Sequence, residues 1–465
     1  MEGRKPHLKK TVSVLLFLVM MLSFVTGLAE APVAYDGSEV TISFYNTMGT
    51  NLTPVLEKYI ASFQELYPNI KVNYTSVGSY DDVRDQIATE ITVNGQPNIA
   101  YCYPDHVALY NLFKAVRTLD DFIDSTAEVT RADGTTEIMG LTAEQKADFI
   151  EGYYNEGLQF GDGKMYTMPF SKSTEVLYYN KTFFDENGLQ VPTTWDEMDE
   201  VARKIIEIDP DSTPIGYDSE SNWFITMTEQ LKSDYTVAED PYFLFNNETN
   251  RDFVKRFREW YQDGLLITYK LNGGYTSGRF VADSKKIYMT IGSSAGASHQ
   301  TPAAKDGVAP FEVGITTIPQ ADPSNPRVIS QGPSVCIFKK ANAQEEAASW
   351  LFVKYLTTSV EFQAEFSIAS GYVPVIKSVI DNPIYAEHLA NAGGYGEHTT
   401  ALSAKICLEQ VDAYYTSPAF NGSSTARDQV GELLAKCFSI PDSEDVDAKI
   451  LEYFEAAVKE CVYSR

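Results

Sequence analysis

The sequence is poor in basic residues. Its 465 residues include 37 Lys and Arg against 64 Asp and Glu, which gives a net charge of −27. The first 29 residues carry a local charge of +3, so the rest of the chain carries −30. A surface this acidic repels nucleic-acid phosphates and anionic lipid headgroups. We therefore expect neither a nucleic-acid partner nor a peripheral membrane role.

Cysteine and histidine are also scarce. The five Cys show no CxxC pair and no Cys/His spacing typical of zinc, so no metal site is expected. They could form one or two disulfides with a thiol left over, or stay buried as free thiols. No glycine-rich nucleotide-binding motif is present, and we expect no cofactor. The cysteines are Cys102, Cys336, Cys407, Cys437 and Cys461.

The only long apolar run lies near the N-terminus. A basic segment precedes residues 11–25, TVSVLLFLVMMLSFV, and residues 26–29 provide small side chains after it. This order is typical of a secretory signal peptide cleaved near Ala29, although an uncleaved anchor has a similar run. No Cys follows that could carry a lipid, which leaves open how the protein would be retained near a membrane. We expect an exported protein, periplasmic or extracellular.

Strand and helix patterns alternate after residue 38. Residues 39–46, 69–77 and 97–103 are predicted strands, with apolar side chains in alternation or in a short continuous run. Residues 53–68 carry apolar side chains at helical spacing, and Asp81 is placed to cap a second helix. This order predicts a parallel sheet flanked by helices, in which ligands lie beyond the carboxyl ends of the strands.

A second tract has the same α/β character. Thr194 is predicted to begin a helix with Glu197 at the capping-box position. No repeat, low-complexity segment or Ser/Gly linker separates the two tracts, which indicates two intimately connected lobes. The other predicted elements are strands over 174–180 and 285–291, helices over 251–264 and 341–369, and C-terminal helices broken at Pro441.

The segment 292–296 spells G-x-S-x-G directly after a predicted strand. In α/β-hydrolases this motif exposes a nucleophilic Ser, here Ser294. His299, His388 and His398 follow, as the hydrolase order requires, but the next residues include Pro302 and Gly307 and form a poor helix. We expect a loop that offers hydroxyls and N–H groups to a ligand, with a Ser294 hydrolase as the alternative.

Tyrosine is abundant, with 29 Tyr and 25 Phe beside 4 Trp. A tyrosine combines an apolar ring face with a polar edge, which suits polyol and sugar ligands. Trp223 lies among polar residues and is predicted either to stack on a sugar or to be a buried helix residue. Tyr372 lies in a turn defined by Gly371 and Pro374 and is the better binding candidate.

Three consecutive motifs carry a family resemblance. They are GKMYTMPFS at 163–171, TEVLYYNK at 174–181 and PTTWDEM at 192–198, supported by FQELYPNIKV, PNIAYCYPD, IYMTIGSS, QGPSVCIF and SGYVPV in the same order. The chain resembles the extracellular solute-binding proteins of ABC importers. More narrowly, it is similar to the carbohydrate-binding family that includes maltose-binding and glycerol-3-phosphate-binding proteins.

The resemblance implies an α/β, two-lobed, type II periplasmic-binding-protein fold. Several chain crossings join the lobes, and the ligand cleft lies between them. After a signal peptide at 1–29, the implied N-terminal lobe comprises 38–170 and 329–370. The implied C-terminal lobe comprises 171–328 and 371–465.

The resemblance also implies a function. A sugar, oligosaccharide or related polyol would be captured by hinge closure and delivered to the permease subunits of an ABC transporter, by a monomer that is not an enzyme. A glycerol-3-phosphate or glycerophosphodiester ligand is the alternative within the family. An exported serine hydrolase using Ser294 is the alternative outside it.

Matching this sequence to the family position by position gives a set of candidate ligand-binding residues. The match is to the glycerol-3-phosphate-binding branch of the family. The acidic residue of that branch falls on Pro104, with Asp105 one step later. The better-placed of its two Arg falls near Ala419, which leaves Arg427. Phosphate usually needs an Arg fork or a helix N-terminus, so this departure favours a neutral saccharide. The candidates are Tyr45, Tyr80, Asp105, Ser173, Trp223, Ser293, Ser294, Gly332, Tyr372 and Arg427, with Ser171 as a neighbour.

Overall fold

The structure is a computed structural model that describes residues 34–282 and 286–465. The predicted signal peptide at 1–29 lies outside the described residues. Fourteen strands are described: β1 Val40–Asn46, β2 Ile70–Ser76, β3 Ile99–Cys102, β4 Glu128–Thr130, β5 Thr136–Ile138, β6 Thr167–Pro169, β7 Ser173–Asn180, β8 Ile215–Tyr217, β9 Leu266–Thr268, β10 Met289–Ser293, β11 Val313–Thr317, β12 Val328–Gln331, β13 Ser334–Ile337 and β14 Tyr414–Tyr415.

Helices cover the faces of the sheets and fill the connections. The described α-helices are α1 Thr53–Leu66, α2 Tyr80–Ile91, α3 Pro104–Asn111, α4 Asp120–Ile123, α5 Ala143–Asp148, α6 Glu151–Asn155, α7 Lys181–Asn187, α8 Trp195–Ile208, α9 Glu220–Gln230, α10 Glu248–Gln262, α11 Tyr269–Asn272, α12 Ser277–Phe280, α13 Ala343–Thr358, α14 Val360–Ser370, α15 Pro383–Ala390, α16 His398–Glu409, α17 Ser423–Phe438 and α18 Val446–Tyr463. Short 3₁₀ helices occur at Glu156–Leu158, Ser294–Gln300, Lys377–Asp381 and Val411–Ala413.

The first sheet has five strands in the order β2-β1-β3-β13-β6. Strands β1, β2 and β3 pair in parallel, as the alternating pattern of strand and helix predicts, and β13 pairs antiparallel with β3 and β6. Aromatic side chains form the core on one face, where the ring centroids of Phe44 and Phe170 are 6.2 Å apart. Helices α2 and α3 pack on the other face. This sheet and its helices form the first lobe.

The second lobe is built on a second sheet, in the order β14-β12-β7-β10-β8-β9 with β11 also paired to β7. Strand β7 pairs antiparallel with β10, β11 and β12, whereas β8, β9 and β10 run parallel. Its core is rich in aromatic side chains, and Thr194 caps α8 through the predicted capping box with Glu197. Strands β4 and β5 form a separate two-stranded ribbon.

The sheet topology shows two short chain crossings between the lobes and a third, longer one from β13 to β14. The chain leaves the first sheet at the end of β6 and enters the second at Ser173, the start of β7. It returns from Gln331, the end of β12, to Ser334, the start of β13. Because each of these two crossings is only a few residues long, the carboxyl-end loops of both sheets are held close together.

The predicted lobe boundaries lie near these crossings and stay a prediction. The boundary at residue 329 assigns most of β12 to the N-terminal lobe, whereas β12 pairs with β7 in the second sheet. The boundary at residue 371 assigns the following segment to the C-terminal lobe, whereas part of it packs in the core of the first. These residues are Val373, Val375, Ile376, Val379 and Tyr385.

Two predicted helix limits need correction. The predicted helix over 341–369 is two helices separated at Ser359. The backbone of Ser359 is extended, and its hydroxyl caps α14 by accepting a hydrogen bond from the Phe362 N–H at 3.1 Å. The helix predicted to be capped at Asp81 is instead capped at Ser79, with Asp82 completing a capping box. Short hydroxyl side chains compete well for such cap positions. The earlier start makes Tyr80 the first residue of α2.

All five cysteines are free and buried. This decides between the two alternatives that the spacing left open. Among the described residues, no group of His, Cys, Asp and Glu could hold a metal ion. No helix in that part of the chain combines the length and the apolar character that a membrane span requires.

Candidate ligand-binding site

A cavity of about 630 Å³ lies between the two lobes. Its walls come from both sheets at the ends of strands: Tyr103 follows β3, Asp218 follows β8 and Ser293 ends β10. Ligands of open α/β sheets bind beyond the carboxyl ends of the strands, and these three residues lie there. The cavity is large enough for a ligand of one to a few sugar rings.

Tyrosines form much of the wall. On the first-lobe side, the Tyr80 and Tyr372 hydroxyls are 3.2 Å apart, and the ring centroids of Tyr80 and Tyr103 are 4.9 Å apart. Burial raises the pKa of Tyr80 well above its ordinary value, so this phenol stays neutral. On the second-lobe side, Tyr235 is buried, and Tyr275 is 68% exposed at the edge. The cavity therefore offers ring faces and neutral hydroxyls from both lobes.

Four carboxyl groups line the same cavity: Asp105, Glu156, Glu175 and Asp218. Asp218 Oδ1 accepts hydrogen bonds from the Thr276 N–H and hydroxyl, each at 2.7 Å. Burial raises its pKa, and those two bonds oppose the rise. Carboxylates can accept hydrogen bonds from ligand hydroxyls.

Glu175 is the most deeply buried of these groups, with 1% of its surface exposed. Its two oxygens accept the Tyr217 hydroxyl at 2.5 Å and the Asn222 amide at 3.1 Å. Burial raises the pKa of Glu175 to about 7, while those donors and the charge of Arg427 act in the opposite direction. The Asn222 amide oxygen accepts a hydrogen bond from Arg427, so Asn222 connects the carboxyl to the guanidinium.

Arg427 is the single Lys or Arg among the described residues that line the cavity. It extends from α17, and no carboxylate of the described chain lies within ion-pair distance of its guanidinium. A guanidinium has five N–H donors, and its one described hydrogen bond uses a single donor. Arg427 therefore has donors left for a ligand.

Several polar atoms in the wall lack hydrogen-bond partners within the described chain. Such atoms are costly to bury unless a partner is supplied. A ligand rich in hydroxyls would supply such partners. They are Tyr235 OH, Thr236 Oγ1, Gln300 Oε1, Ser330 Oγ and Ser417 Oγ.

Six of the ten candidate residues line this cavity: Tyr80, Asp105, Ser173, Ser293, Tyr372 and Arg427. Ser173 begins β7 and Ser293 ends β10, two neighbouring strands, and their hydroxyls are 3.4 Å apart. Tyr80 and Tyr372 come from distant parts of the chain and meet through their hydroxyls. The structure thus brings together residues that lie far apart in the sequence.

Trp223 and Tyr45 are not in the cavity wall, which corrects their expected role. Trp223 is 1% exposed, and its ring stacks on Tyr217 with centroids 4.5 Å apart, so it belongs to the core of the second lobe. Tyr45 lies under α2, where its hydroxyl donates to Glu90 at 3.3 Å. Strand alternation explains this position, because Phe44 faces the opposite core.

Ser294 and Gly332 also lie outside the wall. Ser294 is fully buried, and its hydroxyl accepts the Thr174 N–H at 3.1 Å. It continues into a 3₁₀ helix rather than the turn and α-helix of a hydrolase, and no imidazole of the described chain bonds to it. Gly332 has φ +91°, and a Cβ there would lie 2.5 Å from the Ser171 carbonyl oxygen. Its backbone approaches the other crossing, not a ligand.

Sequence reasoning missed other wall residues. Glu175 could have been found, because residues i and i+2 of a strand share a face and Ser173 was already a candidate. Tyr103 directly precedes the candidate Asp105 segment. Asn222 adjoins Trp223 on α9, but only the helix's orientation shows which of the two side chains reaches the cavity.

One contact spans the two lobes beside the cavity. Arg84, one turn after Tyr80 on α2, donates from Nη1 to the Ser424 hydroxyl of α17 at 3.2 Å. The same nitrogen is 3.6 Å from Asp428 Oδ2. The lobes are therefore in direct polar contact, as in a closed arrangement around the cavity.

Comparison with known proteins identifies the family. The model of the family described as bacterial extracellular solute-binding protein matches residues 58–393, which is most of the chain. The chain belongs to this family. It is 23% identical over 350 residues to the multiple sugar-binding protein of Streptococcus mutans, covering 72% of this chain and 76% of that protein. It is 24% identical over 358 residues to the sn-glycerol-3-phosphate-binding periplasmic protein UgpB of Escherichia coli strain K12, covering 73% and 75%.

Solved structures of other proteins have the same fold as this chain. The structure of UgpB from Mycobacterium tuberculosis in complex with glycerophosphocholine has a TM-score of 0.72 at 16% identity, covering 91% of this chain and 98% of that one. The cyclic alpha-maltosyl-1,6-maltose binding protein from Arthrobacter globiformis has a TM-score of 0.69 at 18% identity, covering 92% and 100%. The predicted α/β, two-lobed, type II periplasmic-binding-protein fold is confirmed.

Proposed function

We propose that this protein is the substrate-binding component of an ABC transporter. It captures a sugar, oligosaccharide or related polyol between its lobes and delivers it to a membrane permease. The observation that carries this proposal is the composition of the cavity: tyrosine rings and carboxyl groups line one space between two lobes. Ring faces pack on the apolar faces of sugars, and carboxylates accept their hydroxyls.

The named relatives support a saccharide ligand. One relative is a multiple sugar-binding protein, and proteins of similar fold bind maltose, maltotriose or cyclic alpha-maltosyl-1,6-maltose. Within this family, relatives of similar fold are named for different ligands. The choice among sugars for this chain therefore rests on its own cavity residues.

We propose specific ligand contacts. Tyr80 and Tyr372 would offer ring faces from the first lobe, and the hydroxyls of Ser173 and Ser293 would bond the ligand from the second. Asp105 would accept a ligand hydroxyl. Arg427 would donate to a ring or hydroxyl oxygen.

Capture would proceed by hinge closure. A ligand that contacts both walls binds the closed arrangement better than the open one, and so shifts the population toward closure. The contact of Arg84 with Ser424 forms only when the lobes approach, because these residues lie on different lobes. A permease would then meet a closed, loaded protein.

We expect the protein to act as an exported monomer after cleavage near Ala29.

A phosphorylated ligand is the less favoured alternative. The UgpB relatives are named for glycerol-3-phosphate, and Arg427 is a cation facing the cavity. However, four carboxyl groups share that cavity with one guanidinium. Those of the four that are ionised and not paired would repel a phosphate, whereas a neutral saccharide is compatible with all of them.

The hydrolase alternative requires a reactive Ser294. The Ser294 hydroxyl is buried and accepts a backbone N–H, which leaves it neither exposed nor activated by a base. We therefore propose binding without chemistry on the ligand.

The test is a thermal-shift panel on residues 30–465. The ligands are maltose, maltotriose, other oligosaccharides, polyols, glycerol-3-phosphate and glycerophosphocholine. A ligand that binds only the folded protein stabilises it by about 2.7 kcal/mol when the free ligand concentration is 100 times Kd. A Tm increase with a neutral saccharide, without product formation, supports the proposal. An increase confined to the phosphate compounds would establish the alternative, and no increase with any of them would contradict both.

A further inference from the structure

A buried lysine lies in the first crossing between the lobes. Lys172 stands between β6 of the first sheet and β7 of the second, and its side chain is 0% exposed. Its ammonium is 2.6 Å from Glu156 Oε2, 3.3 Å from the Gly332 carbonyl oxygen and 3.1 Å from Ser334 Oγ. An ammonium has three N–H donors, so these three partners use its full capacity.

The partners of Lys172 belong to different parts of the molecule. Gly332 and Ser334 are on the second crossing, which runs from β12 to β13. Glu156 is on a 3₁₀ helix of the first lobe, lines the cavity and is 4% exposed. One side chain therefore joins both crossings to the cavity wall.

Backbone contacts hold the same region together. The Phe170 and Ser171 N–H groups both donate to the Pro333 carbonyl of the other crossing, at 3.1 and 3.2 Å. Lys172 also exchanges two backbone hydrogen bonds with Val373, at 3.1 and 2.7 Å. Val373 directly follows Tyr372 of the cavity wall. Any change in backbone angles at the crossings would alter these distances.

A charge at this position has a physical cost. The attraction within a buried ion pair offsets the cost of desolvation only where the geometry is good and the remaining donors are satisfied. Apolar side chains of similar volume often give a protein that is equally stable. Burial raises the pKa of Glu156, and the Lys172 charge opposes that rise. An ammonium differs from an apolar side chain because its hydrogen bonds are directional. These bonds form only while the crossings and the cavity wall keep one arrangement.

We propose that Lys172 is the positioning residue of the hinge, and that its bonds to Glu156, Gly332 and Ser334 set the balance between open and closed lobes from within the cavity wall. This inference rests on the proposed function in one respect, that the lobes open and close. Glu156 has one oxygen on Lys172, and no hydrogen bond of the described chain uses the other. A ligand hydroxyl bound by Glu156 would thus act on a group that is directly bonded to the hinge.

The test measures the distance between the lobes without any ligand, so that it does not depend on which ligand binds. Spin labels are attached through Thr89→Cys on α2 and Lys436→Cys on α17, both exposed positions on different lobes. The five native thiols are buried and leave the introduced ones as the reactive sites. Pulsed electron paramagnetic resonance then gives the distribution of distances in each variant.

Lys172→Met should change that distribution. We expect the ratio of the longer-distance to the shorter-distance population to change by about fivefold, which is a typical effect of losing one hydrogen bond on an equilibrium. Glu156→Gln should change it in the same direction. A wild-type distribution in Lys172→Met would overturn the proposal.

Lys354→Met is the matched control. Lys354 is also buried, and its ammonium donates to Glu137 Oε2 at 2.8 Å and to the Ile138 carbonyl at 2.6 Å, all within the first lobe. This variant should lose stability but keep the wild-type distance distribution. A change in Lys354→Met as large as that in Lys172→Met would mean that any lost lysine pair has this effect, and would overturn the proposal.

Lys172→Met leaves Glu156 buried without its partner and could prevent folding. The double variant Glu156→Gln with Lys172→Met removes both charges and still removes the bonds to Gly332 and Ser334. It should fold and show the altered distribution. A folded double variant with the wild-type distribution would overturn the proposal. Failure of every sugar to bind would contradict the proposed function without affecting this result.

Discussion

Arg84 and Asp428 lie on different lobes and meet beside the cavity, with Arg84 Nη1 3.6 Å from Asp428 Oδ2. Each is next to a wall residue in space: Arg84 is one turn from Tyr80 on α2, and Asp428 follows Arg427 on α17. The same guanidinium also contacts Asp81 and Asp85 on its own helix. The contact between lobes thus competes with contacts that persist when the lobes separate.

Arg84→Gln should weaken closure. Exposed ion pairs contribute about 0.2–1 kcal/mol, so the affinity for a bound saccharide should fall by a factor of about 1.5 to 5. Isothermal titration calorimetry measures the affinity. Small-angle X-ray scattering without ligand should show a larger radius of gyration for Arg84→Gln than for the wild type. Arg203→Gln is the control, because Arg203 pairs with Asp199 and Asp263 within the second lobe. An unchanged affinity and radius in Arg84→Gln would contradict the role of this contact.

Tyr372 and Trp223 should differ in what their loss affects. Tyr372→Ala removes a ring from the wall and should lower saccharide affinity at least about tenfold, the effect of losing about 1.4 kcal/mol of contact. Trp223→Ala removes a core ring, and should destabilise the protein by about 3–5 kcal/mol. Titration and urea unfolding separate the two effects. A Trp223→Phe variant with normal stability but no binding would instead indicate that Trp223 contacts the ligand.

Ser293 and Ser294 are neighbours with opposite expected roles. Ser293→Ala should lower saccharide affinity several-fold. It should lower the melting temperature less than Ser294→Ala does, because the Ser293 hydroxyl accepts the Ala295 N–H only at 3.3 Å and in a partly exposed position. Ser294→Ala leaves the buried Thr174 N–H without its acceptor, which should cost about 1–3 kcal/mol of stability. Calorimetry and titration of both variants give the comparison. Ester hydrolysis that is present in the wild type and lost in Ser294→Ala would contradict a purely binding role.

Glu175 should make stability depend on pH. Its pKa is about 7 in the folded protein against 4.5 ordinarily, so the folded state binds more protons between these values than the unfolded state does. Stability must therefore fall as the pH rises from about 4.5 to about 7 and level off above that range. At about 1.4 kcal/mol per pKa unit, the loss is on the order of 3 kcal/mol.

Glu175→Gln isolates this contribution. Burial also raises the pKa of Asp218, Glu156 and Asp428, so their effects on stability have the same sign and remain in the variant. The difference in melting temperature between wild type and Glu175→Gln should grow from pH 5 to pH 7 in favour of the variant. A difference that stays constant with pH would show that Glu175 is ionised throughout.

Much of the first lobe is predictable from the sequence because its signals are local. The apolar alternation of residues 39–46 and 69–77 corresponds to β1 and β2, which the structure pairs in parallel over seven residues each. Thr194 and Glu197 cap α8 as their spacing predicts. Helix boundaries were harder to predict where neighbouring residues compete for the cap position. Ser359 separates two helices because its side chain caps the second, although apolar residues continue across it.

The candidate site shows the same division. Tyr372 and Ser173 were identifiable because they adjoin distinctive turns and strand starts. Trp223 and Tyr45 were candidates because they match aromatic positions of the family, and packing places their rings in the cores instead. Glu156 and Lys172 gave no local signal, because they are 16 residues apart and meet only through the fold of the crossing.

The family, the two α/β tracts and the acidic, tyrosine-rich character of the chain can be obtained from the amino-acid sequence alone. These follow from periodicity, composition and contiguous motifs, which act over a few residues. Three-dimensional packing, in contrast, sets which tyrosines face the cavity, which carboxyl groups share it, and how a buried lysine joins the two short crossings. Those relationships depend on the rotation of each helix and strand against its neighbours. Packing of the whole chain sets that rotation, and no short stretch of sequence specifies it.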